Sequence, residues 1–159
     1  MNLGIYIDSI ANKTILSELN DLVNNTNKID IYDYSIFFNE IDFNPYKINC
    51  GFFNSTELWS FSGDLIVTSL NCLATANRVI NNINLYYYFG LEEKPNVFQL
   101  IELSRIAKIV CRSERDKKEF YRLTGKSPVG VSQNLEEVLQ ILMEQKDGHK
   151  SNLNNVYKT

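Results

Sequence analysis

A doubly wound α/β fold is predicted for this chain of 159 residues, and three observations predict it. Short apolar runs alternate with helix-periodic stretches from Leu3 to Leu142, the pattern that builds a mostly parallel sheet with helices on both faces. Residues 3–34 already contain strand, helix, strand, the βαβ unit whose crossover is right-handed. Asn84-Leu85-Tyr86-Tyr87-Tyr88-Phe89 is an unbroken apolar and aromatic run stopped by Gly90 and Pro95, as expected of a strand buried on both faces. The expectation is one Rossmann-like domain over residues 1–144, with about six to seven strands, then a polar, flexible tail over 145–159.

Each element has its own signal. Leu3 to Asp8 is a first short strand. Ser9 or Asn12 can cap the next helix, where Ile15, Leu16, Leu19, Leu22 and Val23 recur at helical spacing until Asn24-Asn25-Thr26-Asn27 ends it. Ile29 to Tyr34 alternates and predicts a second strand. Phe37 to Ser62 is less regular: Asn44-Pro45 marks a turn, Ile48 to Phe53 a strand, and Ser55 caps a short helix with Leu58 and Trp59. Leu65-Ile66-Val67 is a buried strand ending at Thr68-Ser69, followed by a helix with Leu73, Ala76 and Ile80 on one face. After the tyrosine strand, Val97 to Ile106 predicts a helix and Ala107 to Cys111 a strand. Ser113 then caps a helix with Glu114 and Asp116 in its first turn, Arg122 near its end and Gly125 beyond it, an order that suits the helix dipole. Val129-Gly130-Val131 is a last strand. Asn134 caps a helix carrying Leu135, Val138, Leu139 and Leu142.

Composition excludes several classes. No apolar run approaches the ~20 residues of a membrane span. Met1-Asn2-Leu3-Gly4 lacks the basic start of a signal peptide. Three scattered cysteines, Cys50, Cys72 and Cys111, and a lone His149 form no metal spacing. A reducing, cytoplasmic setting follows, with no membrane partner and no metal. There is no GxGxxG after the first strand, where Asp8-Ser9-Ile10-Ala11 stands, no GxxxxGK[ST] and no GxSxG. No cofactor is expected.

Carboxyl ends of parallel strands face ligand clefts, which selects the candidate site residues. Glu92 and Glu93 follow the tyrosine strand and can act as a general base or bind sugar hydroxyls; the alternative is that they flank the helix beginning near Pro95 and Asn96. Asp8 and Ser9 end the first strand, and Thr68 and Ser69 end the Leu65–Val67 strand; helix capping is the competing role for them. Arg112 and Ser113 stand at the end of the next strand but one. Between Arg105 and Lys126 lie eight bases and three acids, so this window carries +5 and the remainder −8. Such a strip can meet phosphate or an acidic partner, or simply be a solvated helix face. A sequence pI near 5.2 argues against a nucleic-acid partner.

Three stretches in order, Phe61 to Ser69, Tyr86 to Glu92 and Ala107 to Glu114, resemble the N-terminal, acceptor-side Rossmann-like domain of the two-domain GT-B glycosyltransferases. The similarity is to small proteins and sugar transferases of tailed phages. It implies a catalytic base at Glu92 or Glu93, and aligns the family's A-x-x-I-V-x-S-E pattern with Ala107 to Glu114, where Ile109-Val110 stand one position earlier than in the pattern. Family members bind the nucleotide-sugar mainly in a second domain, which this chain has no length to supply. The resemblance therefore implies a stand-alone, non-catalytic module, a phage accessory protein, that binds a protein partner or a second copy, with a sugar or nucleotide as its ligand. The alternative it implies is a glycosyltransferase or other sugar- or nucleotide-processing enzyme completed by a second subunit.

Overall fold

The side chains of successive strand residues point to opposite faces, so a sheet covered by helices on both sides needs apolar residues at odd and even positions alike. The computed structural model, which describes residues 1–25, 32–79, 82–91 and 95–156, with side chains through 146, has this arrangement. In chain order the elements are β1 (Asn2–Ser9), α1 (Lys13–Asn25), β2 (Asp33–Glu40), β3 (Gly51–Asn54), a 3-10 turn (Ser55–Ser60), β4 (Gly63–Val67), α2 (Leu70–Ala76), β5 (Ile83–Phe89), α3 (Val97–Leu103), β6 (Lys108–Cys111), α4 (Glu114–Thr124), β7 (Gly130–Val131) and α5 (Leu135–Val156). The seven strands form one sheet in the order β3-β2-β1-β4-β5-β6-β7, and every pairing is parallel. Strand order reverses between β1 and β4. This is the doubly wound, Rossmann-like topology.

Two apolar layers follow from the alternation. Leu3, Ile5 and Ile7 of β1, Ile36 and Phe38 of β2, and Tyr86 and Tyr88 of β5 pack under α1 and α5. Tyr6, Phe37, Val67, Tyr87 and Phe89 pack on the other face under α2, α3, α4 and the 3-10 turn. All three tyrosines of β5 are buried, at most 2% exposed. Tyr88 donates its hydroxyl to the Ser132 carbonyl at 3.0 Å, and Lys108 Nζ lies 3.5 Å from the Tyr86 hydroxyl. The run is thus a central strand whose polar tips are satisfied.

Local signals set the helix ends. Asn12, rather than Ser9, caps α1 by accepting from the Ile15 amide at 3.3 Å; Ser9 closes the preceding turn by accepting from the Ala11 amide at 3.1 Å. Ser113 accepts from the Asp116 amide, and Gly125 ends α4 at φ 69°, a left-handed conformation that glycine adopts without strain.

Five boundaries differ from expectation. The third strand runs Gly51–Asn54, not Ile48 to Phe53, and Asn54 rather than Ser55 caps the 3-10 turn by accepting from the Thr56 amide. The second strand runs Asp33–Glu40, not Ile29 to Tyr34, of which 29–31 lie outside the described residues. Burial on both faces makes its Ile36-Phe37-Phe38 a continuous run, while the alternating segment before it mimics an amphipathic strand. α2 ends at Ala76, before Ile80, which also lies outside the described residues. α3 stops at Leu103 because Ser104 turns its hydroxyl onto the Ile101 carbonyl. α5 continues to Val156, beyond the end at Glu144 that its apolar spacing indicated. Its Lys146 reaches back to Asp64, which also accepts from Asn84 Nδ2 at 3.0 Å. Asp64 is 1% exposed, so this pairing holds an acid that the core could not otherwise accommodate.

The cysteines are free thiols. Burial pushes Cys50 up to about 11 and Cys111 up to about 12, leaving almost no thiolate at neutral pH. In a thiol-labelling time course, both are expected to stay unreacted in the native protein and to label at once in denaturant. Rapid native labelling of Cys111 would contradict its place in β6.

Candidate functional site

The switch point between β1 and β4 puts the carboxyl ends of two diverging strands side by side, where open α/β sheets take their ligands. Tyr6 pairs with Val67 in register. One residue on, Thr68 fastens the two strand ends, its amide and hydroxyl both donating to the Tyr6 carbonyl at 3.1 Å. Ser69 then accepts from the Cys72 amide at 3.1 Å and starts α2. Both residues are buried.

Asp8 is the centre of the polar cluster built on this edge. Its Oδ1 accepts from Asn71 Nδ2 at 3.0 Å, from Asn39 Nδ2 at 3.3 Å and from Cys72 Sγ at 3.5 Å. Asn39 is itself oriented by Tyr6, whose hydroxyl donates to Asn39 Oδ1 at 2.5 Å. Burial, and secondarily the nearby Cys72 thiol, raises the Tyr6 pKa, and hydrogen bonds with Ser55, Thr75 and Asn39 oppose this. The phenol therefore stays protonated and remains a donor. This fixes which end of the Asn39 amide faces Asp8. Tyr6, Asp8 and Asn39 all project from the face of the sheet that α2 covers, as their alternation with Ile7 and Phe38 requires.

Chemically, this is a carboxylate clamped by two side-chain amides and a thiol. Such a set exchanges hydrogen bonds with hydroxyls, and among the described residues the hydrogen-bonded cluster contains no histidine and no acid besides Asp8. Among the described residues no group of three or more His, Cys, Asp or Glu is placed to hold a metal ion. No described helix is long and apolar enough to cross a membrane.

Of the residues singled out in the sequence, Asp8, Thr68 and Ser69 stand on this edge, Thr68 donating its hydroxyl to the Tyr6 carbonyl and Ser69 accepting from the Cys72 amide, while the Ser9 hydroxyl accepts from the Ala11 amide. Arg112 and Ser113 do not stand there: β6 is separated from β4 by β5. Ser113 caps α4. The Arg112 guanidinium pairs with Glu18 of α1 and lies 5.6 Å from the Tyr88 ring. Glu92 and Glu93 lie outside the described residues. Asn39, Asn71, Cys72 and Tyr6 are site residues that sequence reasoning missed. Asn39 was hidden by the misplaced second strand; the others had no local signal.

The basic window is largely committed to contacts of its own. Besides Arg112, Lys126 donates to the Ser104 carbonyl at 3.2 Å, Lys117 pairs with Glu114 at 3.3 Å and Arg122 with Glu119 at 4.0 Å.

Comparison of the chain with protein-family models, with curated proteins and with solved structures finds no match. Fold and geometry therefore define a class and no narrower family: a doubly wound, Rossmann-like α/β protein with a polar side-chain cluster at its topological switch point.

Proposed function

We propose that the chain is a binding module of the glycosyltransferase-like, acceptor-side type, which receives a hydroxyl-rich ligand, a sugar or nucleotide, on the polar cluster at the ends of β1 and β4 and performs no turnover by itself. One observation carries this reading: the Asp8 carboxylate, held at the switch point by Asn39, Asn71 and Cys72. A fixed acceptor flanked by amides matches the alternating donors and acceptors of a sugar ring, and holding it in advance lowers the cost of binding. Phe98, 87% exposed in the first turn of α3, offers an apolar foothold for a second subunit on the same edge.

A thermal-shift panel of nucleotide-sugars, nucleotides and free sugars tests it. A ligand bound only by the folded chain raises its melting temperature by mass action. At least one member is expected to do so for the natural protein and to have no effect on Asp8→Ala. A panel without any shift, or a shift that survives in Asp8→Ala, would sink the idea.

A second reading, an enzyme completed by another subunit, draws on β5. This strand lies beside β4, and Gly90 at φ 114° turns the chain at its carboxyl end. Glu92 and Glu93 follow directly in sequence, so either acid is a candidate base for an acceptor bound on this edge. Turnover of the completed complex should collapse in Glu92→Gln or Glu93→Gln. Full activity in both removes the assigned base.

A further inference from the structure

The sheet order separates two segments of opposite charge. Residues 33–57, which hold β2, β3 and the first half of the 3-10 turn, carry Asp33, Glu40, Asp42 and Glu57 against the single base Lys47. They form one end of the sheet. The +5 window from Arg105 to Lys126 holds β6 and α4 and lies towards the other end, beside β7. The molecule is thus acidic at one end of its sheet and basic at the other.

Each end also presents apolar groups suited to its opposite. From the last residue of β2 the chain reads Glu40-Ile41-Asp42-Phe43, and Ile41 and Phe43 are 79% and 78% exposed, so acids alternate with large side chains that nothing in the fold covers. At the basic end, Lys117, Lys118, Tyr121, Ser127 and Pro128 line an open cleft of about 330 Å³. Its walls are mostly apolar, formed by Tyr121, Pro128 and the lysine stems, with ammonium groups at the rim. Lys118 has no ion pair among the described residues. An aromatic side chain with a neighbouring carboxylate fits this chemistry: the ring meets the apolar wall and Tyr121, and the acid meets Lys118.

We infer that the chain associates with itself head to tail, the Ile41-Asp42-Phe43 loop of one copy docking in the Lys117-Lys118-Tyr121 cleft of the next. Charge complementarity selects a second copy as the occupant, since the same molecule carries both halves of the contact at opposite ends. A contact between two different patches is heterologous, so each copy keeps a free patch and the association extends beyond a dimer unless the rotation closes a ring. None of these residues belongs to the polar cluster at the ends of β1 and β4, so the inference does not rest on the ligand reading.

Sedimentation velocity across a concentration series tests it. The natural protein should give dimers and higher species that shrink toward monomer as sodium chloride is added, because salt screens exposed charges. Asp42→Asn/Phe43→Ser retains only the cleft, and Lys118→Gln/Tyr121→Ser retains only the loop. Each alone should be monomeric, with a circular dichroism spectrum like the natural protein's. Mixed, they should form one dimer of equal parts and nothing larger. A natural protein that stays monomeric at every concentration overturns the inference. So does association that salt leaves unchanged, or that both variants retain. If the salt-dependent species form but the mixed variants do not pair, the contact lies elsewhere and the inference also falls.

Discussion

Tyr88→Ala is expected to lower stability by about 4 kcal/mol, the upper part of the range for removing a large buried side chain. Tyr88 is fully buried in the central strand, under the α1–α5 layer. Truncation opens a cavity between β5 and that layer. It also leaves the Ser132 carbonyl without its donor and takes away the ring facing Arg112. A loss of this size is a large fraction of the ~5–15 kcal/mol that holds a domain together. Tyr88→Phe keeps the ring and loses only the hydroxyl, so its cost should be about 1 kcal/mol. Urea unfolding of the two variants separates cavity from hydrogen bond. A cost for Tyr88→Ala no greater than that of Tyr88→Phe would show that the ring is not in the core.

Removing either member of the Glu18–Arg112 pair should cost about 3 kcal/mol, whereas Glu18→Leu/Arg112→Met together should cost little. The two side chains are 14% and 23% exposed, so a charge left alone loses its partner in a poorly hydrated place. That exposure puts the cost at the low end of the range for broken buried pairs. The pair is imperfect: Glu18 Oε2 and Arg112 Nη1 are buried with no hydrogen-bond partner. Burial, the largest influence, accordingly raises the Glu18 pKa even against the pull of Arg112. A folded pKa above the unfolded one means that the folded state holds the proton more tightly. Stability linked to Glu18 is therefore present below the unfolded value of about 4.3 and is lost as pH rises through the folded one. Relative to the double variant, the natural protein should become less stable over that rise. A difference that grows with pH would show that Arg112 outweighs burial.

Sequence signals were sufficient where structure is set locally. α4 is the clearest case: Ser113, Glu114, Asp116, Arg122 and Gly125 act within one helix, and start, polarity and end all follow from them. The tyrosine strand was legible for the same reason, since burial on both faces writes itself as an unbroken run. β2 was not, because an alternating segment stood beside the true strand and periodicity cannot rank the two. That displacement concealed Asn39, whose role arises from Tyr6 and Asp8 on the neighbouring strand. The ion pair of Arg112 was not legible for a related reason: its partner Glu18 lies 94 positions away, and only the folded sheet brings α1 to the end of β6. Charge counting likewise found the basic window without showing that Lys126, Lys117 and Arg122 have partners of their own.

The direct test of the switch-point cluster is a two-dimensional amide spectrum titrated with the nucleotide-sugar, nucleotide or sugar that raises the melting temperature. The largest shifts should fall at Asp8 to Ala11, at Asn39 and at Thr68 to Cys72, and should vanish in Asp8→Ala. Shifts confined to α4 and the cleft at Lys117 and Tyr121, with Asp8 and Asn71 unmoved, would place the ligand at the basic end and contradict the account.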